Sequence, residues 1–230
     1  MIGGMSKPNS SGYLEEMTAE DLAALHPEVV VLPLGSTEPH GTALPVAVRQ
    51  WVVVFPKRVR YFVNIDAGCL NRVAGIVMRE VQRATAGAST SPAPAARSGG
   101  VLFVHRCGAA LNAHVHLHLC VLDGEVPQGR SGLVFRGAQV DEACAERVQT
   151  AVRQRVLGLF ERRGMLSSER VAEMQGWGHR GGFSVHAGVR VAAPDRAGRE
   201  RLLRYCARGK FAGERLVRAG GGAQVRYRLP

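Results

Sequence analysis

The segment Ala113-His-Val-His-Leu-His-Leu119 alternates between imidazole and apolar side chains. Successive side chains of a strand point to opposite faces, so His114, His116 and His118 share one face while Val115, Leu117 and Leu119 take the other. A helix would throw residues two apart to opposite sides, which leaves the strand as the conformation that separates the two sets. The chain here is a strand with one buried face and one face of imidazole. With the run Val101-Leu-Phe-Val104 before it, it flanks a small-residue turn around Gly108 to Asn112. Histidines on one face of a strand stand about 6.5–7 Å apart, close enough for two rings to reach one ion. A solvated face that happens to carry histidines is the other reading of the pattern. Three histidines within five positions, on a strand that buries its opposite face, favour metal. A neutral imidazole binds most divalent transition metals, so the ligand type does not name the ion.

With 230 residues, 46% of them hydrophobic, the chain can bury one good-sized core or two small ones. No stretch approaches the roughly 18 apolar residues of a membrane-spanning helix, and the start MIGGMSKPNSSG lacks a secretory apolar run, so the expected location is cytoplasmic. Five cysteines without a Cys-x-x-Cys pair read as free thiols. Thirty basic residues against nineteen acidic ones give +11, a surplus that favours a polyanionic partner. The surplus is unevenly placed. Residues 1–45 carry one basic and six acidic residues, which leaves 29 basic against 13 acidic in residues 46–230. Such a step marks a boundary near Pro45.

Before the boundary, Val29-Val-Val-Leu-Pro-Leu34 reads as a short strand entering the loop Gly35-Ser-Thr-Glu-Pro-His-Gly41, where Glu38 and His40 are spaced to serve one metal. This stretch resembles the amino-terminal motif of the creatininase family. The resemblance implies metal-dependent amidohydrolase chemistry with Glu38 and His40 as ligands. The following Val46-Ala-Val-Arg-Gln-Trp51 lacks the aspartate that family carries next. Residues 1–45 are therefore expected to be a creatininase-like fragment rather than an independent domain, because so few residues cannot bury a core.

After the boundary, Trp51-Val-Val-Val-Phe-Pro56 reads as a strand, and Lys57, Arg58 and Arg60 interleave with Tyr61 and Phe62 in a pattern that can hold phosphates and stack bases. Helical spacing covers 66–84, a low-complexity flexible loop is expected over 84–100, and an amphipathic helix over about 141–163. A further helix through Arg199–Arg208 starts near Pro194 and Asp195. The expected fold over residues 46–230 is α+β: an antiparallel sheet carrying the His-x-His strand, with helices packed on one face.

Gly108-Ala-Ala-Leu-Asn112, Val115-His-Leu-His118 and Val121-Leu-Asp-Gly124, taken with Arg49-Gln-Trp51, Phe55–Tyr61 and Leu202–Arg208, are similar to the rolling-circle insertion-sequence transposases of HUH endonuclease type. The resemblance runs from about Val48 to the last residue. It implies that His116 and His118 bind a divalent metal, magnesium or manganese, with His114 assisting or lining the site and no nucleotide cofactor. It also implies single-stranded DNA as partner and a tyrosine that joins covalently to the 5′ side of the break. Of Tyr13, Tyr61, Tyr205 and Tyr227, the resemblance points to Tyr205, with Arg204 and Arg208 gripping phosphate beside it. Arg201 stands where some relatives carry a second tyrosine. His179 and His186 are both candidates for a third metal ligand. Relatives of this kind carry an amino-terminal cysteine-rich zinc module and continue past the point where this chain stops, so a chimeric or decayed reading frame, truncated and inactive, is one expectation. A creatininase-type amidohydrolase and a basic, non-catalytic DNA-binding remnant are the competing functions.

Overall fold

The computed structural model describes residues 46–89, 98–108, 112–126 and 135–208, with the strand segments 29–30, 216–219 and 224–227. The elements run β1 (Val29–Val30), β2 (Val48–Val54), α1 (Lys57–Ile65), α2 (Ala67–Gly87), β3 (Gly100–Cys107), β4 (Ala113–Leu122), β5 (Gly124–Glu125) and β6 (Arg136–Gly137). There follow α3 (Glu142–Arg162), α4 (Ser168–Gly176), a 3-10 turn (His179–Gly182), β7 (Ser184–Val191), α5 (Arg196–Cys206), β8 (Leu216–Ala219) and β9 (Gln224–Tyr227). One five-stranded sheet, in the order β1-β3-β4-β2-β7, is antiparallel throughout. The fold is α+β, as the alternation in β4 and the helical spacings imply.

The alternation separates the two faces. Trp51, Val53, Leu102, Val104, Leu117 and Leu119 are buried on one face, where α1 to α4 lay Val59, Val63, Val73, Val77, Val152, Val156 and Met174 against them. Burying each of these side chains contributes about 1.5–3 kcal/mol. The helices begin where local chemistry dictates. Asp66, Asp141, Ser167 and Asp195 each accept a backbone N–H from the first turn of α2, α3, α4 and α5, and Pro56 precedes the first turn of α1. The fifth helix, α5, lies on the histidine face, where Leu202 and Cys206 pack with Phe103, Cys120 and Val191.

Several expectations take definite form. The basic segment from Lys57 is helical. Helix α2 runs on to Gly87, four residues into the expected loop, and residues 90–97 of that loop lie outside the described residues. Of the predicted strand at Val29–Leu34, Val29 and Val30 are described, paired with Phe103 and Leu102 at the edge of the sheet. The five cysteines are free. Among the described residues no helix is long and apolar enough to cross a membrane.

One buried charge ties the far end of the sheet together. The Asp123 carboxylate, fully enclosed just past β4, accepts from Arg49 Nε of β2 at 2.6 Å and from Arg190 of β7. Arg49 also donates through Nη1 to Ala187 O at 2.8 Å. Next to it, a Cβ at Gly124 would stand 2.0 Å from Arg136 O, so β5 and β6 approach at a distance that glycine alone permits. Removing one member of a buried pair strands the other charge. Asp123→Ala is expected to cost about 3–5 kcal/mol, read as a lowered urea midpoint.

Candidate metal centre

Strand β4 is flanked by β3 and β2, and the register sets what its histidines meet. His116 is opposite His105 of β3 and Val54 of β2, and His118 is opposite Phe103 and Val52. The pairing of β3 with β4 shifts between His105 and Cys107, where β4 carries the extra residue of a β-bulge and both His114 and Val115 stand against Arg106. His105, His116 and His118 each present a ring nitrogen, and the three atoms lie within 4.8 Å of one another. Their ring centroids are 4.3 Å apart for His105 and His118 and 5.1 Å apart for His116 with either partner. Such a trio can hold a metal ion.

Hydrogen bonds fix which nitrogens are available. His116 donates from Nδ1 to His114 O at 2.7 Å, which leaves Nε2 with its lone pair. His105 donates from Nε2 to Cys206 O at 2.7 Å. His118 is buried, and its Nδ1 stands 2.9 Å from the Gln50 side-chain amide, itself 3.3 Å from Cys206 Sγ. These partners orient all three rings, the arrangement that metal-binding histidines generally need.

Helix α5 closes over this face. Cys206 Sγ accepts from the Cys120 thiol at 3.6 Å, and Leu202 packs on Phe103. The preceding residue on the helix is Tyr205. Its ring lies edge-on to His118, with centroids 5.8 Å apart and planes at 70°, and it is 55% exposed, so solvent or a strand can reach it.

The sequence-predicted residues divide into two groups. His116, His118 and Tyr205 come together. His114 stands apart from the trio: its Nδ1 faces Arg60 and its ring centroid is 5.3 Å from that of His116. The reason is geometric, since a directly opposed cross-strand residue is nearer than one two along the same strand. His105 therefore occupies the place that spacing along the strand suggested for His114. His186 shares the sheet face but is separated from His118 by Val52 of the intervening strand, and it bonds Ser184 Oγ at 2.9 Å. His179 is exposed in the 3-10 turn. Of the basic residues on α1, Arg60 reaches the histidine face, Arg58 lies over Trp177 at 5.8 Å, and Lys57 is exposed. Arg204 is exposed and pairs with Glu200 at 2.6 Å, and Arg208 follows the end of α5. Glu38 and His40 lie outside the described residues.

Burial, with His118 and His105 beside it and against the bond to His114 O, holds His116 down from 6.5 to about 4. Burial, then Arg60, also lowers His114. The folded chain thus keeps His116 neutral, the form that binds metal. Between pH 4 and 6.5 the unfolded chain binds the extra proton, so this contribution to stability is present above 6.5 and is lost as pH falls towards 4. For the metal-free protein the loss is on the order of 3 kcal/mol. Urea midpoints measured with chelator across that range should fall on acidification, and His116→Gln should flatten the dependence.

The family model Y2_Tnp, described as "Putative transposase", matches residues 99–230. The matched span includes His105, His116, His118 and Tyr205. No curated protein and no solved structure matches the chain.

Proposed function

The chain belongs to the Y2_Tnp transposase family, and from that premise we propose that it nicks and rejoins single-stranded DNA by HUH-type chemistry with Tyr205 as the nucleophile. The observation that carries this reading is the placement of the Tyr205 ring 5.8 Å from His118, beside a cluster of three histidines. A histidine cluster by itself is compatible with many reactions. A half-exposed tyrosine at its edge, on a helix anchored to the same sheet, is the arrangement that covalent strand transfer requires.

In this reading the Tyr205 oxygen attacks the scissile phosphorus, and its proton passes to the solvent that reaches the exposed ring. The new Tyr–phosphate bond replaces the bond to the 3′ oxygen, which departs and takes up a proton as a free hydroxyl. A second 3′ hydroxyl attacks the phosphotyrosine to rejoin, so the bond energy is retained without a nucleotide cofactor. His105, His116 and His118 would hold a divalent metal, which when bound polarises the phosphate oxygens and offsets the charge that develops on them. Three imidazole donors suit manganese better than magnesium, which prefers oxygen. His114 orients His116 through its carbonyl, and its side chain lines the site with Arg60.

Arg204 and Arg208 would grip phosphate beside the tyrosine. The surface pair of Arg204 with Glu200 is weak enough to exchange for that contact. We assign Lys57, Arg58 and Arg60 to the approaching strand. The working unit is residues 46–230, because β2, upstream of the matched segment, is an interior strand of the sheet.

The purified chain with manganese and labelled single-stranded DNA is expected to give a covalent adduct on a denaturing gel. Tyr205→Phe and chelator should abolish it, and His105→Ala should weaken it by about 10–100-fold or more. An adduct that survives Tyr205→Phe would remove that residue from the reaction.

A further inference from the structure

On the other side of the molecule, α2 and α3 pack side by side, with Val73, Val77, Val152 and Val156 turned into the core. Their outer surfaces leave a groove lined by Arg72, Arg79, Arg155 and Arg162, with Ile76 and Leu159 among the remaining lining residues. All four arginines are exposed. Arg155 bonds Glu80 of α2 at 2.7 Å, and Arg72 and Arg162 line the same groove, so the helices run antiparallel and the arginines form two opposed pairs. Seven residues separate the pairs on each helix, about 10.5 Å at the rise of an α-helix. That spans roughly three nucleotide steps along one strand of a duplex.

The groove is shaped for these side chains. Gly75 and Gly158 each lie one helical turn before an arginine, and a Cβ at either would stand 3.2 Å from Nη1 of Arg79 or Arg162. Each helix interior thus carries a glycine, a residue about 1 kcal/mol less favourable there than alanine, where a guanidinium lies back along the helix. No carboxylate lines the groove among the described residues. The nearest, Glu80, is buried and already engaged by Arg155 and Arg83.

We infer that the α2–α3 groove is a second nucleic-acid site, which takes the sugar–phosphate backbone of a DNA segment other than the one at the histidines. Guanidinium forks in opposed pairs suit the phosphates on a strand lying along the groove. A flat anionic membrane would meet the helix ridges rather than the groove between them. The sheet and the helical layer separate the groove from the histidine face by about 10 Å per layer, so one short strand cannot occupy both. The inference rests on the DNA-processing reading for the identity of the polyanion.

The test uses the full chain with two substrates, a short single-stranded oligonucleotide and a long duplex with a single-stranded tail. Arg72→Ala/Arg79→Ala/Arg162→Ala removes three contacts and leaves Arg155 on buried Glu80. Affinity for the long substrate should fall about tenfold or more, and the slope of log affinity against log salt should decrease by about 2–3. Adduct formation on saturating short oligonucleotide should be unchanged. The corresponding triple lysine variant should keep most of the salt slope, and the single exposed change Arg72→Glu should weaken the long substrate without affecting the fold. Unchanged affinity and slope in the alanine variant would overturn the inference. So would a loss seen only on vesicles containing phosphatidylserine. Groove-dependent binding by a chain that forms no adduct would sink the tyrosine chemistry and leave the groove standing. Adduct formation with groove-independent binding would do the reverse.

Discussion

Opposite Arg106, strand β4 carries one residue more than β3 can pair, so His114 and Val115 share one partner. Cys107 is opposite Ala113, yet His105 is opposite His116 rather than Val115. Without that extra residue in β4, every side chain of β3 up to His105 would meet the other face of β4, and His105 would be opposite Val115. His105 would then enter the apolar layer beside Leu117, where an unpaired polar ring is costly. With it, His105 joins the polar face, and Phe103 falls beside His118 to form the surface on which α5 rests. Arg106 itself turns outward and donates to Asn64 O at 3.0 Å.

Helix α5 depends on the same register. His105 donates to the carbonyl of Cys206, and Cys206 in turn meets Cys120 and the Gln50 amide. The histidine that completes the trio thus also anchors the helix that carries Tyr205, so the position of the tyrosine and the shape of the histidine cluster are coupled through two adjacent residues. At the opposite end of the sheet, Asp123 holds Arg49 and Arg190 and keeps β2 between β4 and β7. Val52 and Gln50 then take their places along the histidine row, and His186 is kept one strand too far away to join.

Charge is distributed with the same economy of position. Arg153 caps α4 by donating to Met174 O, and Arg155 holds Glu80, so these two arginines of α3 are structural. Arg49 and Arg190 are committed to Asp123. Of the arginines that face outward, one set lies on α5 and another lines the groove between α2 and α3.

The period-two alternation of β4 was sufficient to derive a half-buried antiparallel strand, because the two faces of a strand are independent of anything distant in the chain. The helix start at Asp195 was legible for a similar reason: a cap is satisfied within one turn. Two local patterns, Arg49-Gln-Trp51 and Val121-Leu-Asp-Gly124, were visible as motifs, but their role as the two halves of a buried ion pair required the strands to be brought together. His105 was in view as a residue and invisible as a partner. Its face depends on one extra residue in a neighbouring strand, and a bulge leaves no periodic trace in so short a run. The sequence by itself therefore determined that a strand of this chain presents histidines on one face and buries the other. Only the tertiary structure decided that His105 completes the cluster, that Tyr205 stands over it, and that His114 and His186 do not join, because cross-strand register sets those distances and register is a property of pairs of strands.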